Sequence, residues 1–410
     1  MLKRILVIGW VLLFSAFAGA QAHQHGTAST GDGQYNPFIV TGPRGDFYLV
    51  YIQRTNNISD VMLRHSMDGR EFSAPVRVND REGDGAVRNE NPPKVAVAPN
   101  GDVYVCWASE RERWKGDIRF ARSTDGGKTF SKALTLNSDA GGAPTGHAFQ
   151  SLTVDRKGTI YVAWIDERNK RKEDRGAEIW LTTSADRGRT FSPDHPVLSD
   201  VCECCRTSLQ ADASGNLYLT YRTVPHQGPM QRDIILARSF DSGRTFKETV
   251  VSHDGWEVNG CPVAGPSFAL GPTGKITVIW FIGGNERPGL YYAVSLDKGA
   301  SFAAKQWLDL QQRMGKHVHA LALNNGLILA GWDDATEKTF SAWGLLDPQK
   351  GLQRRSASQE GLAYPVVAAN AKVAVIASMR LATHEILVTT ETLNLQGTAL
   401  PRTGNHRLPK

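Results

Sequence analysis

The chain has 410 residues, 41% of them hydrophobic, with a formal net charge of +6 and five cysteines. A chain this long buries its own core, so five cysteines are local devices and not a disulfide scaffold. Their count is odd, so at least one thiol is left over. Two of the positive charges sit at the extreme N-terminus and the rest form no basic stripe, which excludes nucleic acid as a partner.

Lys3 and Arg4 precede an apolar run, Ile5 to Phe17, and then the small residues Ala18, Gly19 and Ala20. This is the pattern of a signal peptide over residues 1–22, cleaved after Ala20 or Ala22. The run is short for a membrane span, and no cysteine marks the cleavage site for a lipid anchor. The expectation is an exported monomer, periplasmic or secreted, with no membrane insertion after cleavage. Either cleavage leaves a histidine third (His23 or His25), and a free amine, two backbone nitrogens and an imidazole suit Cu(II) or Ni(II). Residues 23–33 read as a flexible segment, 34–400 as one domain and 401–410 as a tail.

From residue 34 onward two marks recur. A turn glycine is followed six residues later by an aromatic closing a β-rich run: Gly45/Tyr51, Gly101/Trp107, Gly158/Trp164, Gly215/Tyr221, Gly274/Trp280 and Gly326/Trp332. Between these marks stands an S-x-D-x-G-x-x-F box. A shortened copy, SMDGREF, starts at Ser66, and the others are STDGGKTF at Ser123, SADRGRTF at Ser184, SFDSGRTF at Ser239 and SLDKGASF at Ser295. Unit six has lost the box, and YPVVAAN, KVAVIAS and HEILVTT form a fainter seventh unit. Repeats of 50–60 residues, each with about four short strands, predict an all-β fold, a β-propeller of four-stranded blades. Seven blades are favoured, with six and an outer segment as the alternative.

The boxes join third to fourth strands, so the blade-to-blade links and the second-to-third-strand hairpins share the opposite face, where ligands bind. DVCECCRTSL, residues 200–209, is one such link and holds three of the five cysteines. Cys202 and Cys261 each lie 13 residues before their turn glycine; Glu90, His147 and Cys204 lie 11 before; Arg206 and His317 lie nine before. This counting gathers Glu90, His147, Cys202, Cys204, Cys205, Arg206, Cys261, His317 and His319 at the mouth of the axial channel. Three readings follow for the cysteines. The first is a structural disulfide, with Cys202 and Cys261 at equivalent positions in neighbouring blades. The second is a metal site, in which thiolates and the imidazoles of His147, His317 and His319 hold copper or zinc, although C-x-C-C is not a zinc-ribbon spacing. The third is a redox-active thiol. Cys106, inside DVYVCW, reads as a buried, inert thiol.

The box resembles the Asp box of the sialidase-like (BNR-repeat) propellers, and the resemblance spans nearly the whole chain after the leader. It implies that Asp68, Asp125, Asp186, Asp241 and Asp297 are structural, each carboxylate accepting N–H groups of its own turn. It also implies a glycan ligand, and a sialidase site with three arginines, a Tyr–Glu pair and an acidic acid/base. The arginine expected early in the family's first blade is missing, since that region reads QYNPFIV. Arg88, Arg206 and Arg222 are the arginines able to face the axis, and Tyr364 is the late tyrosine. Glu90, Asp200, Glu203, Asp254 and Glu257, with Arg206, are the candidate catalytic groups, none in a motif that assigns a role. Trp256, and Trp114 likewise, could stack on a sugar beside Arg88, His147 and Arg206. The function expected is an exported propeller binding a glycan or small molecule at its axial face, with sialidase or other glycoside hydrolase activity implied by the resemblance. The second reading is a periplasmic copper-binding or redox protein.

Overall fold

In the computed structural model the described residues are 31–393, apart from 89, 172–173, 285–286, 309–314 and 336–337, together with 404–407. The segment expected to be a signal peptide and the N-terminal histidines lie outside them. Seven antiparallel sheets, each a consecutive run of strands, form a ring of seven blades. Blade six carries a fifth short strand, Gln359–Glu360, paired to its third. Blade seven is completed by Gly404–Arg407 pairing with its third strand, so a stretch expected to be a tail supplies an outer strand.

The two repeated marks have separate physical roles. The closing aromatics Tyr51, Trp107, Trp164, Tyr221, Trp280 and Trp332 are all at most 2% exposed on second strands. They lie in the apolar layers that join neighbouring sheets; Trp164, for example, shares one cluster with Ile118 and Phe120 of the preceding blade. The box works locally. In the second box Asp125 accepts from the backbone of Lys128 and Thr129 and from the hydroxyls of Ser123 and Thr129. Asp186, Asp241 and Asp297 repeat this arrangement, and Asp68 keeps the backbone contacts with Arg70 and Glu71. The hydroxyl and N–H of Thr245 hold the Asp241 carboxyl down at about 2.

The box glycine faces a double demand. At Gly188, φ is +73° and a Cβ would stand 2.8 Å from Phe120 of the preceding blade. At Gly69, φ is +77° and a Cβ would meet Val375 of blade seven at 2.4 Å, so the first box docks on the last blade. Ring closure is completed by Ile39, Phe47 and Leu49 packing with Val366, Val375 and Val388. First strands of blades one to six line a central channel of about 240 Å³.

Candidate functional site

The face opposite the boxes carries three groups of side chains, which the structure keeps separate. The first is at the axis. Six non-glycine residues at or beside first strands have left-handed φ: Asn36, Glu90, Phe149, Val263, His317 and Tyr364. Such backbone costs about 1–3 kcal/mol per residue and collects at functional sites. These are the equivalent positions of the blades. Glu90 and Val263 stand eleven residues before their turn glycines, whereas Asn36, Phe149 and His317 stand nine before theirs, so counting from the glycine misaligned blades two and five. Glu90 is therefore level with His317, its Oε1 3.8 Å from His317 Nε2 and 3.6 Å from Arg206 Nε. His317 Nδ1 lies 2.8 Å from both Asp333 oxygens, its Nε2 3.1 Å from the Val263 carbonyl, and its ring 4.6 Å from that of Tyr364. Burial opposes its charge, but Asp333 and Glu90 outweigh that and raise its pKa above the ordinary histidine value. Arg206 donates to the Val318 carbonyl. Deeper in the channel, burial lowers His319 to about 3, helped by Arg206 and Lys94, and its Nδ1 accepts from Val367 N–H. Burial, with Arg206, also lowers Lys94 to about 7.

The second group is the cysteine cluster. The disulfide joins Cys204 to Cys261 across blades four and five, with Cα atoms 6.1 Å apart. This corrects the Cys202–Cys261 pairing expected from counting. Cys202 and Cys205 are buried free thiols, their sulfurs 3.3 Å apart, and Cys202 Sγ lies 3.5 Å from Cys204 Sγ. The Cys205 thiol, with Arg232 and Arg222 nearby, holds the Cys202 thiol below its ordinary value, while burial pushes Cys205 up. The sulfurs of residues 202, 204 and 205 all lie within 4.8 Å of one another. The histidines expected beside them are engaged elsewhere, His317 and His319 as above. His147 is fully buried, with Nδ1 donating to the Gly116 carbonyl (2.6 Å) and Nε2 3.2 and 3.3 Å from Asp139 and Asp166. Cys106 is buried and apart, its pKa pushed well up by burial.

The third group is a cleft of about 300 Å³ between the links and hairpins of blades two to four. Its lining includes Arg88, Trp114, Phe149, Glu167 and Glu203, with Cys204 at its wall. Trp114 is 40% exposed at a hairpin tip, and the Arg88 guanidinium lies 5.9 Å from its ring centroid. Arg88 itself is buried, 3.5 Å from Glu110. Glu167 packs over Gly146, where a Cβ would come within 2.7 Å of its carboxylate. Burial raises the Glu167 carboxyl, Glu203 adds to the effect, and Lys170 opposes it. Glu203 is paired with Lys170 at 3.1 Å.

Several expected site residues are structural. Asp254 accepts from Trp280 Nε1 (2.8 Å) and pairs with Lys305 (2.7 Å). Trp256 is buried against Phe281 and stacks near Arg222, so it is no sugar platform. Arg222 is fully buried and donates to the carbonyls of Ala264, Arg232 and Phe281. Asp200 uses its carbonyl to hold Thr223 and Val224, and Glu257 is exposed beside Gln231. Glu167, Asp333 and Lys94 escaped the sequence reading. The first two had a signal: a carboxylate within three residues after a strand's closing tryptophan.

Solved structures share the fold at low identity. An ulvan lyase of a new polysaccharide lyase family, bound to -[GlcA(1-4)Rha3S]-, is 13% identical over 90% of this chain and 98% of its own, with TM-score 0.59. A Dyadobacter fermentans protein of unknown function is 16% identical over 74% and 90%, with TM-score 0.50. A Hadza microbial sialidase is 16% identical over 82% and 73%, with TM-score 0.48. No curated protein matches. Residues 56–267, just over half of the sequence, match the BNR repeat-like domain, and the first four boxes, from Ser66 to the one starting at Ser239, fall within that span. The chain belongs to the BNR repeat-like domain family.

Proposed function

We propose that the protein binds a glycan in the cleft of blades two to four, and that Glu167 and Glu203 act there on a glycosidic bond. The observation that carries this reading is the pairing of two carboxylates of different environment in one aromatic-lined cleft. Glycoside hydrolysis needs one carboxylic acid that keeps its proton and one carboxylate that stays ionised. Burial favours the protonated form of Glu167, which then delivers its proton to the leaving oxygen. Glu203, paired with Lys170 at 3.1 Å, activates water or attacks the sugar carbon. Trp114 and Phe149 offer apolar faces to a sugar ring, and Arg88 fixes Trp114 from beneath. The glycan ligands and substrates of proteins sharing this fold agree with the ligand class.

The test is a panel of neutral and uronate-containing polysaccharides, read for binding and for release of reducing ends. Trp114→Ala is expected to weaken binding about tenfold, the loss of one stacking contact of about 1–2 kcal/mol. Glu167→Gln is expected to keep binding and to stop release. Binding unchanged in Trp114→Ala would remove the cleft from consideration, and release unchanged in Glu167→Gln would remove the mechanism.

A further inference from the structure

We infer that Cys202 and Cys205 form a site for Cu(I), held as a dithiolate beside the intact Cys204–Cys261 disulfide. The two thiols are each about 1% exposed and share a small apolar cluster with Val224, while Met230 packs against it from the next hairpin. Two thiolates with a thioether beside them are a soft donor set, which selects Cu(I) over harder ions. Zinc in structural sites takes four protein ligands, and with the disulfide closed this cluster offers two thiolates.

A second observation points the same way. Arg222 is 0% exposed and Arg232 is 6% exposed. Arg222 donates to the carbonyls of Ala264, Arg232 and Phe281, and Arg232 to those of Val258 and Gly260. Neither pairs with a carboxylate among the described residues. Two buried cations without an anionic partner are costly. The Cys202 N–H donates to the Arg222 carbonyl at 2.9 Å, and an anionic copper dithiolate beside it would balance one of the two charges. Binding breaks two S–H bonds, forms two Cu–S bonds and releases two protons, with no change in the oxidation state of copper or sulfur. The site is independent of the glycan cleft, although Cys204 touches both.

The experiment titrates the full chain, disulfide closed, against the Cu(I) complex of bathocuproine disulfonate, with ascorbate holding copper reduced. The wild type and Cys106→Ser are expected to withdraw one Cu(I) per chain. Changing a group that only hydrogen-bonds a metal ligand costs about 10–100-fold in metal affinity, so Cys202→Ser and Cys205→Ser are each expected to lose more than about 100-fold. X-ray absorption of the copper-loaded wild type, which needs no variant to fold, is expected to show a sulfur-only shell. No copper withdrawn, equal withdrawal by Cys202→Ser, or a nitrogen or oxygen shell would overturn the inference. So would loading that occurs only after the disulfide is reduced.

Discussion

The disulfide between Cys204 and Cys261 carries a stability consequence that can be worked out. It closes a segment with a sequence separation of 57 residues, the whole of blade four. In the chain-entropy treatment, removing a closure of this length costs about 4 kcal/mol, an upper value because native strain and residual unfolded structure reduce it. Unfolding entropy of roughly 2 cal/mol/K per residue gives a ring of this size about 0.8 kcal/mol/K, so the shift is about 5 °C. The perturbation is the double change Cys204→Ser/Cys261→Ser, which avoids leaving one reactive partner beside Cys202. The assay is calorimetric melting with and without a phosphine reductant. Wild type is expected to drop by about 5 °C on reduction. The double variant is expected to melt at that lower temperature and to ignore the reductant. Cys202→Ala keeps the bridge and should still respond. A Cys202→Ala variant blind to reductant, or a double variant that still responds, would refute this pairing and restore Cys202 as the bonded cysteine.

Two further outcomes follow from particular contacts. Gly188→Ala places a methyl 2.8 Å from buried Phe120 at φ +73°, whereas Gly126→Ala at φ +77° meets open space. The first should cost about 2–4 kcal/mol and the second about 1, measured as the difference between two melting curves. His317 holds a raised pKa through Asp333 and Glu90 against its burial, so its contribution to stability is complete below the unfolded value of about 6.5 and is lost as pH rises through the folded one. Imidazole NMR titration should place it above about 6.5 in the wild type and lower in Asp333→Asn. An unmoved value in that variant would show that Asp333 does not hold the charge.

Blade number and the placing of the boxes were legible in the sequence because they rest on short-range contacts. Asp241 binds Thr245 four residues on, and a six-residue run from turn glycine to aromatic spans one strand. These hydrogen bonds repeat wherever the residues repeat, whatever the neighbouring blade does. The face that carries the links followed from the same alternation of hairpins. Tertiary structure alone decided which side chains meet. Glycine counting made Glu90 equivalent to His147 and Cys204, yet two extra residues in blade two bring it to His317, and Cys204 rather than Cys202 bonds Cys261. His147 turns into a buried pair with Asp166, and Trp256 into the core. Glu167 meets Glu203 only because separate blades bring a hairpin and a link to one cleft. Each of these outcomes depends on links whose backbone is set by packing between blades and not by their own short-range hydrogen bonds. A one-residue change in direction there sends a side chain to the channel, the core or the cleft, and local sequence does not encode that choice.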